Sequence, residues 1–140
     1  MEVKVPDQPL SRAEYAALAT FRHELRRFLA FSEAEAAKAG VPVQQHQAML
    51  AIAGHAASES LTVGGLAERL LIAPQTATEL AGRMQRAGYL TRSASAKDQR
   101  RSELALTEKG QEILAGLARA HLRELRNIGP ALARILAQFT

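Results

Sequence analysis

Two neighbouring stretches decide the fold: Arg83-Met84-Gln85-Arg86-Ala87-Gly88-Tyr89-Leu90-Thr91-Arg92 and Lys97-Asp98-Gln99-Arg100-Arg101-Ser102-Glu103-Leu104-Ala105-Leu106. Up to Gly88 the apolar residues keep a helical period, with Ala77, Leu80, Ala81 and Met84 at i, i+3, i+4 and i+7. Gly88 suits the left-handed residue that ends a helix. Beyond it the period becomes two. Residues 89–92 read as a strand, 93–99 as a polar turn, and 102–106 as a second strand that alternates in polarity. A helix over 74–87 followed by a hairpin with a basic tip is therefore expected.

Working outward, Thr62 caps a short helix over 62–71 whose buried side is Leu66, Ala67, Leu70 and Leu71. Ile72-Ala73-Pro74 breaks it, and Pro74 suits the first position of the next helix. Further upstream, Ser11-Arg12-Ala13-Glu14 is a capping box, from which a helix can run to Gly40. That is roughly 28 residues, or about 42 Å at 1.5 Å per residue. Leu18, Phe21, Leu25 and Phe28 form an apolar seam along it. Pro42 is expected at the first position of a second helix reaching Gly54, and residues 1–10, with Pro6 and Pro9, read as an extended arm. Downstream, Thr107 caps a helix lined by Ile113, Leu114, Leu117, His121, Leu125 and Ile128. Gly129-Pro130 should end that helix and leave a short apolar one to follow.

The fold class is thus mainly α with a small β-hairpin wing, a winged helix-turn-helix, and its N- and C-terminal helices are expected to be dimerising because exposed apolar stripes usually mark interfaces. Length bounds the rest, since 140 residues hold one domain. Within residues 1–140, segments 11–39 and 107–140 read as dimerisation helices and 41–106 as the winged lobe. No run of 18 apolar residues and no apolar leader occurs, so a cytoplasmic location is expected. The absence of cysteine excludes disulfides and a thiol switch.

Charge is distributed unevenly. From Arg83 to Arg101, six cations face the single carboxylate Asp98, a local +5 in a chain whose total is +4. Such a block is the electrostatic footprint of nucleic-acid binding. With the core positions removed, helix 74–87 presents Gln75, Thr76, Thr78, Glu79 and Arg83 outward, for phosphates and base edges in a major groove. Arg92, Lys97, Arg100 and Arg101 supply the wing, with Arg100 at the tip placed for a minor groove. Asp98 reads as a structural brace of the wing, not a catalyst, because neighbouring cations favour its ionised form. A merely solvated helix face and loop is the bland alternative for each.

Thr62-Val63-Gly64-Gly65-Leu66-Ala67-Glu68-Arg69-Leu70, Arg83 to Leu90, Asp98-Gln99-Arg100-Arg101 and Leu106-Thr107-Glu108-Lys109-Gly110 together resemble the MarR family of bacterial transcriptional regulators, across roughly residues 11–128. The resemblance implies an obligate homodimer on a pseudo-palindromic operator in double-stranded DNA. It implies helix 74–87 in the major groove and the arginine at position 100 in the minor groove. It also implies repression relieved by a small aromatic or phenolic effector. Gly65 departs from the family, which often carries an acidic residue there, so the capping box with Thr62 is expected to be lost and the helix start to fray.

Dimer contacts are expected from Leu18, Phe21, Leu25, Leu125, Ile135 and Phe139. His23, His46 and Met49 are the residues expected to line an effector pocket. The four histidines lack metal-ligand spacing, so no metal and no cofactor is expected. No Gly-rich phosphate loop, Gly-x-Ser-x-Gly or paired-acid site occurs, and the only aspartates are Asp7 and Asp98; an enzyme is not expected. The alternative function is a winged-helix module for protein–protein contact or an architectural DNA-binding role.

Overall fold

The computed structural model describes residues 8–140, and the part of the expected arm at 1–7 lies outside them. The order is α1 (Arg12–Lys38), α2 (Val43–Ala53), α3 (Val63–Leu70), α4 (Pro74–Arg86), β1 (Leu90–Ala94), β2 (Ser102–Leu106) and α5 (Glu108–Ala137). Winged helix-turn-helix topology follows from this order: α3, a tight turn, α4, then an antiparallel hairpin pairing Leu90 with Leu106 and Ala94 with Ser102. The chain divides into two compact units, one of residues up to Ala34 plus Arg119–Thr140, the other Glu35–Ala118.

The second unit, hereafter the lobe, owns a continuous core. Met49 of α2, Leu66 of α3, Leu80 and Met84 of α4 and Leu90 of β1 are its largest fully buried side chains. Ala77, Leu80, Ala81 and Met84 are all buried, as the helical period requires. The wing is tied to the lobe through β2, where the Leu104 amide donates to the Leu61 carbonyl at 2.9 Å and Thr62 bridges Glu103. Nothing in the local sequence pattern signals this third edge.

Several expectations are corrected. Gly129-Pro130 does not end the last helix: α5 runs 30 residues with Pro130 inside it. An interior proline costs about 3 kcal/mol through its missing N–H and ring clash. Apolar residues continue at helical spacing on both sides, and Ile128 and Ile135, one seven residues after the other, are both buried. Pro42 is the N-cap of α2 instead of its first helical residue. The first strand begins at Leu90, since the Tyr89 amide still donates back to the Met84 carbonyl at 2.9 Å and closes the α4 terminus.

Helix α3 holds two further corrections. Leu71 is not on its buried side but 91% exposed, with φ 56° and ψ 44°. It is the left-handed cap, where the Leu71 and Ile72 amides donate to the Glu68 and Ala67 carbonyls. Turning into that conformation swings the side chain off the helix's apolar stripe. At the other end, Thr62 Oγ1 accepts from the Gly65 amide at 3.0 Å, so the hydroxyl half of the capping box survives. Gly65 has its own reason: a Cβ there would lie 2.8 Å from Leu61 Cδ1.

In the first unit, the Ser11–Glu14 capping box forms in both directions, at 2.8 and 3.2 Å. His121 of α5 shares a 2.8 Å hydrogen bond with Ser32 of α1, and both Phe28 and Phe31 meet its ring edge-on. Among the described residues no helix is long and apolar enough to cross a membrane.

Candidate nucleic-acid interface

Pro74 opens α4 with a ready-made φ and no amide to satisfy. Burying one stripe of this helix leaves Gln75, Thr76, Thr78, Glu79 and Arg83 exposed, as their positions between the core residues dictate. Thr78 Oγ1 donates back to the Pro74 carbonyl at 3.1 Å, which engages its hydroxyl within the helix.

The far end of α4 is fastened to the start of α5. The Lys109 ammonium donates to the Ala87 carbonyl at 3.0 Å and lies 5.2 Å from the centre of the Tyr89 ring. Thr107 donates its hydroxyl to the Gly88 carbonyl at 2.6 Å and accepts from the Gly110 amide at 3.1 Å. A Cβ on Gly110 would overlap the Tyr89 carbonyl oxygen. Leu106-Thr107-Glu108-Lys109-Gly110 is therefore a joint between α4, the hairpin and α5.

At the wing tip, Asp98 organises the turn. Its Oδ1 accepts from the Arg100 amide at 3.0 Å and from Arg100 Nε at 3.2 Å, and Oδ2 accepts from Arg100 Nη2 at 3.4 Å. Arg101 Nε stands 3.7 Å from Oδ2. The side-chain hydrogen bonds from Arg100, then its amide, then the charge of Arg101 hold the Asp98 carboxyl below its ordinary value, against an opposing effect of desolvation. The Arg100 side chain stays 91% exposed, so the brace aims it without covering it. Lys97 is exposed, and its amide donates to Ser95 Oγ.

Between wing and α3 lies a cleft of about 480 Å³, lined by Thr62, Val63, Gly64, Gly65, Glu68, Thr78, Arg92, Arg100, Arg101 and Ser102. Three guanidinium groups and Glu68 line it, and Asp98 stands behind two of the arginines, so the balance stays positive and the field in the cleft favours an anion. The structure thus gathers Thr78, Arg92, Arg100 and Arg101 around one concavity, while Gln75, Thr76, Glu79, Arg83 and Lys97 lie outside its lining. Sequence reasoning missed Gln85, whose Oε1 accepts from Arg92 Nε at 2.9 Å. The only signal was a polar residue in the last turn before a tight return into the strand.

The remaining candidates scatter. His46 and Met49 are buried in the lobe, Met49 as part of its core, and neither lines the cleft. His23 is exposed on α1 in the other unit. In that unit Leu18, Leu25, Leu125 and Phe139 are exposed and Phe21 is half-buried, whereas Ile135 is buried within the unit itself. Among the described residues no group of three His, Cys, Asp or Glu is placed to hold a metal ion.

Residues 39–101, which span α2 to the wing tip, match the sequence model of the MarR family. No curated relative matches the sequence. Among solved structures, the chain resembles a MarR family protein from Bacillus stearothermophilus with a TM-score of 0.75 at 21% identity, over 94% of this chain and 96% of that one. It resembles AbsC, a MarR family transcriptional regulator from Streptomyces coelicolor, with a TM-score of 0.72 at 19% identity, over 86% and 80%. The MepR-DNA complex of S. aureus gives 0.61 at 17%, over 87% and 99%. At these identities the structural likenesses establish the fold, and the sequence match is to residues 39–101. Residues 39–101 match the MarR family, and the chain has the winged helix-turn-helix fold of that family's solved regulators.

Proposed function

We propose that this protein is a homodimeric, sequence-specific DNA-binding transcriptional regulator of the cytoplasm, a repressor that responds to a small aromatic or phenolic ligand. Helix α4 occupies the major groove of double-stranded DNA, and the wing, residues 90–106, reaches the minor groove of a pseudo-palindromic operator. One observation carries this reading: the exposed polar face of α4 and the braced, exposed Arg100 belong to the same compact lobe, with an arginine-lined cleft beside them. The match of residues 39–101 to the MarR family and the likeness to a DNA-bound MepR support it.

The test is selection from random duplexes followed by titration. Wild-type protein should enrich an inverted repeat whose half-sites lie about one helical turn apart. Arg100→Ala should weaken binding and flatten the salt dependence by about 0.9 in log–log slope for each phosphate that is no longer neutralised. If Arg100→Ala binds the selected duplex like wild type, the wing role is wrong. Salt-sensitive binding without sequence preference would instead favour an architectural or protein-contact module.

A further inference from the structure

Two arginines border the cleft with different braces. Arg100 is held by a carboxylate, Asp98, and Arg92 by a neutral amide, Gln85. Gln85 does not line the cleft, whereas Arg92 does. Both side chains are exposed, and β1 fixes the base of Arg92 by pairing it with Leu104, which is buried. From that base a free arginine would sample many rotamers, and ordering such a side chain on binding costs roughly 0.5–1.5 kcal/mol.

We propose that Gln85 is a positioning residue that pre-sets Arg92 as a phosphate-binding group on the wall of the cleft. The inference rests on the DNA reading above and names how one part of that site is prepared. The Gln85 amide oxygen engages Nε, so the two terminal amino groups of Arg92 are left to face an anion in a forked arrangement. A carboxylate at position 85 would hold Nε more strongly, but it would cancel the charge that a phosphate needs. A neutral acceptor orients the guanidinium and leaves its charge whole. Arg100 and Arg101 share the lining, and Glu68 on it and Asp98 behind the two arginines leave the balance positive, so the occupant of the cleft is a backbone phosphate of the bound duplex.

A double-mutant cycle on the duplex selected by the wild-type protein tests this. Arg92→Ala should weaken binding roughly ten- to hundredfold, as removal of one charge-assisted hydrogen-bonded pair implies, and flatten the salt slope by about 0.9. Gln85→Ala should weaken binding about three- to tenfold when Arg92 is present and less than about twofold when Arg92 is already alanine. Gln85→Glu keeps an acceptor but adds a negative charge, so its deficit should shrink as salt rises. Thermal unfolding of the free variants should match wild type, because both side chains are exposed. Additive losses would mean that Gln85 touches DNA itself, and an unaltered Gln85→Ala would mean that Arg92 needs no holding; either overturns the inference while leaving the DNA reading intact. A wild-type protein that binds no duplex, selected or generic, overturns the DNA reading and this inference with it.

Discussion

The lobe and the helical unit formed by the chain's two ends bury their apolar residues very differently. Among the described residues, the largest fully buried side chains all lie in the lobe: Met49, Leu66, Leu80, Met84 and Leu90. Of the exposed large hydrophobic residues, only Leu50 and Leu71 belong to the lobe. The others, from Leu10, Tyr15 and Leu18 on α1's side to Leu136 and Phe139 at the C-terminus, belong to the end unit. That unit closes its interior with small or aliphatic residues such as Ala17, Ala120, Ile128 and Ile135 and with the His121–Ser32 bond. One region has a finished core, while the other displays more apolar surface than a solvated helix pair needs. The difference supports a homodimer built on the ends.

Substitutions put this contrast to the test, and the largest effect should come from the finished core. Leu66→Ala should destabilise the protein by about 3 kcal/mol, read from denaturant unfolding, because the hole it leaves cannot collapse among close-packed neighbours. Next, Gly110→Ala should cost about 1–3 kcal/mol, since the new methyl must push the Tyr89 carbonyl aside. Its signature should be a loss of DNA binding at temperatures where the protein remains folded.

In the end unit, Leu25→Asp should change intrinsic stability by no more than about 0.5 kcal/mol. It should nonetheless shift sedimentation toward monomer and lower the melting temperature in a manner that depends on protein concentration. A Leu25→Asp protein that stays dimeric would remove this leucine from the interface. Leu71→Gly should be neutral or stabilising by up to about 1 kcal/mol, as relief of left-handed strain outweighs the greater freedom of glycine in the unfolded chain.

The smallest effect concerns the wing turn. The Asp98 pKa is depressed in the folded protein, so the contribution of its bonds to Arg100 is present above the ordinary aspartate range and fades as pH falls through the lowered value. An NMR titration should show the Asp98 carboxyl ionising at lower pH than in an Arg100→Ala variant. Identical titration curves would show that Arg100 does not brace it.

What was legible in the sequence had local causes. The change from helical to alternating period at Gly88 placed α4 and the hairpin, and the interleaving of core and polar residues fixed the exposed face of α4. Pro130 misled because local chemistry opposes a helix there, whereas burial of Ile128 and Ile135 favours one. Leu71 misled because its spacing fits the buried stripe of α3, yet the turn required a left-handed residue. The Gln85–Arg92 pair and the Thr62–Glu103 bridge depend on how the chain folds back on itself, which the pattern of neighbouring residues does not specify.

The fastening of Lys109, Thr107 and Gly110 to the end of α4 has a mechanical meaning. With a carbonyl pressed against an α-carbon that bears no side chain, the two helix termini are keyed together and lack the play for one to turn alone. A rotation of α5 about its axis must displace the last turn of α4 or break the hydrogen bonds that Thr107 and Lys109 donate to the Gly88, Tyr89 and Ala87 carbonyls. In such a joint the stiffness lies in a place a few atoms wide, and one methyl group is enough to change it.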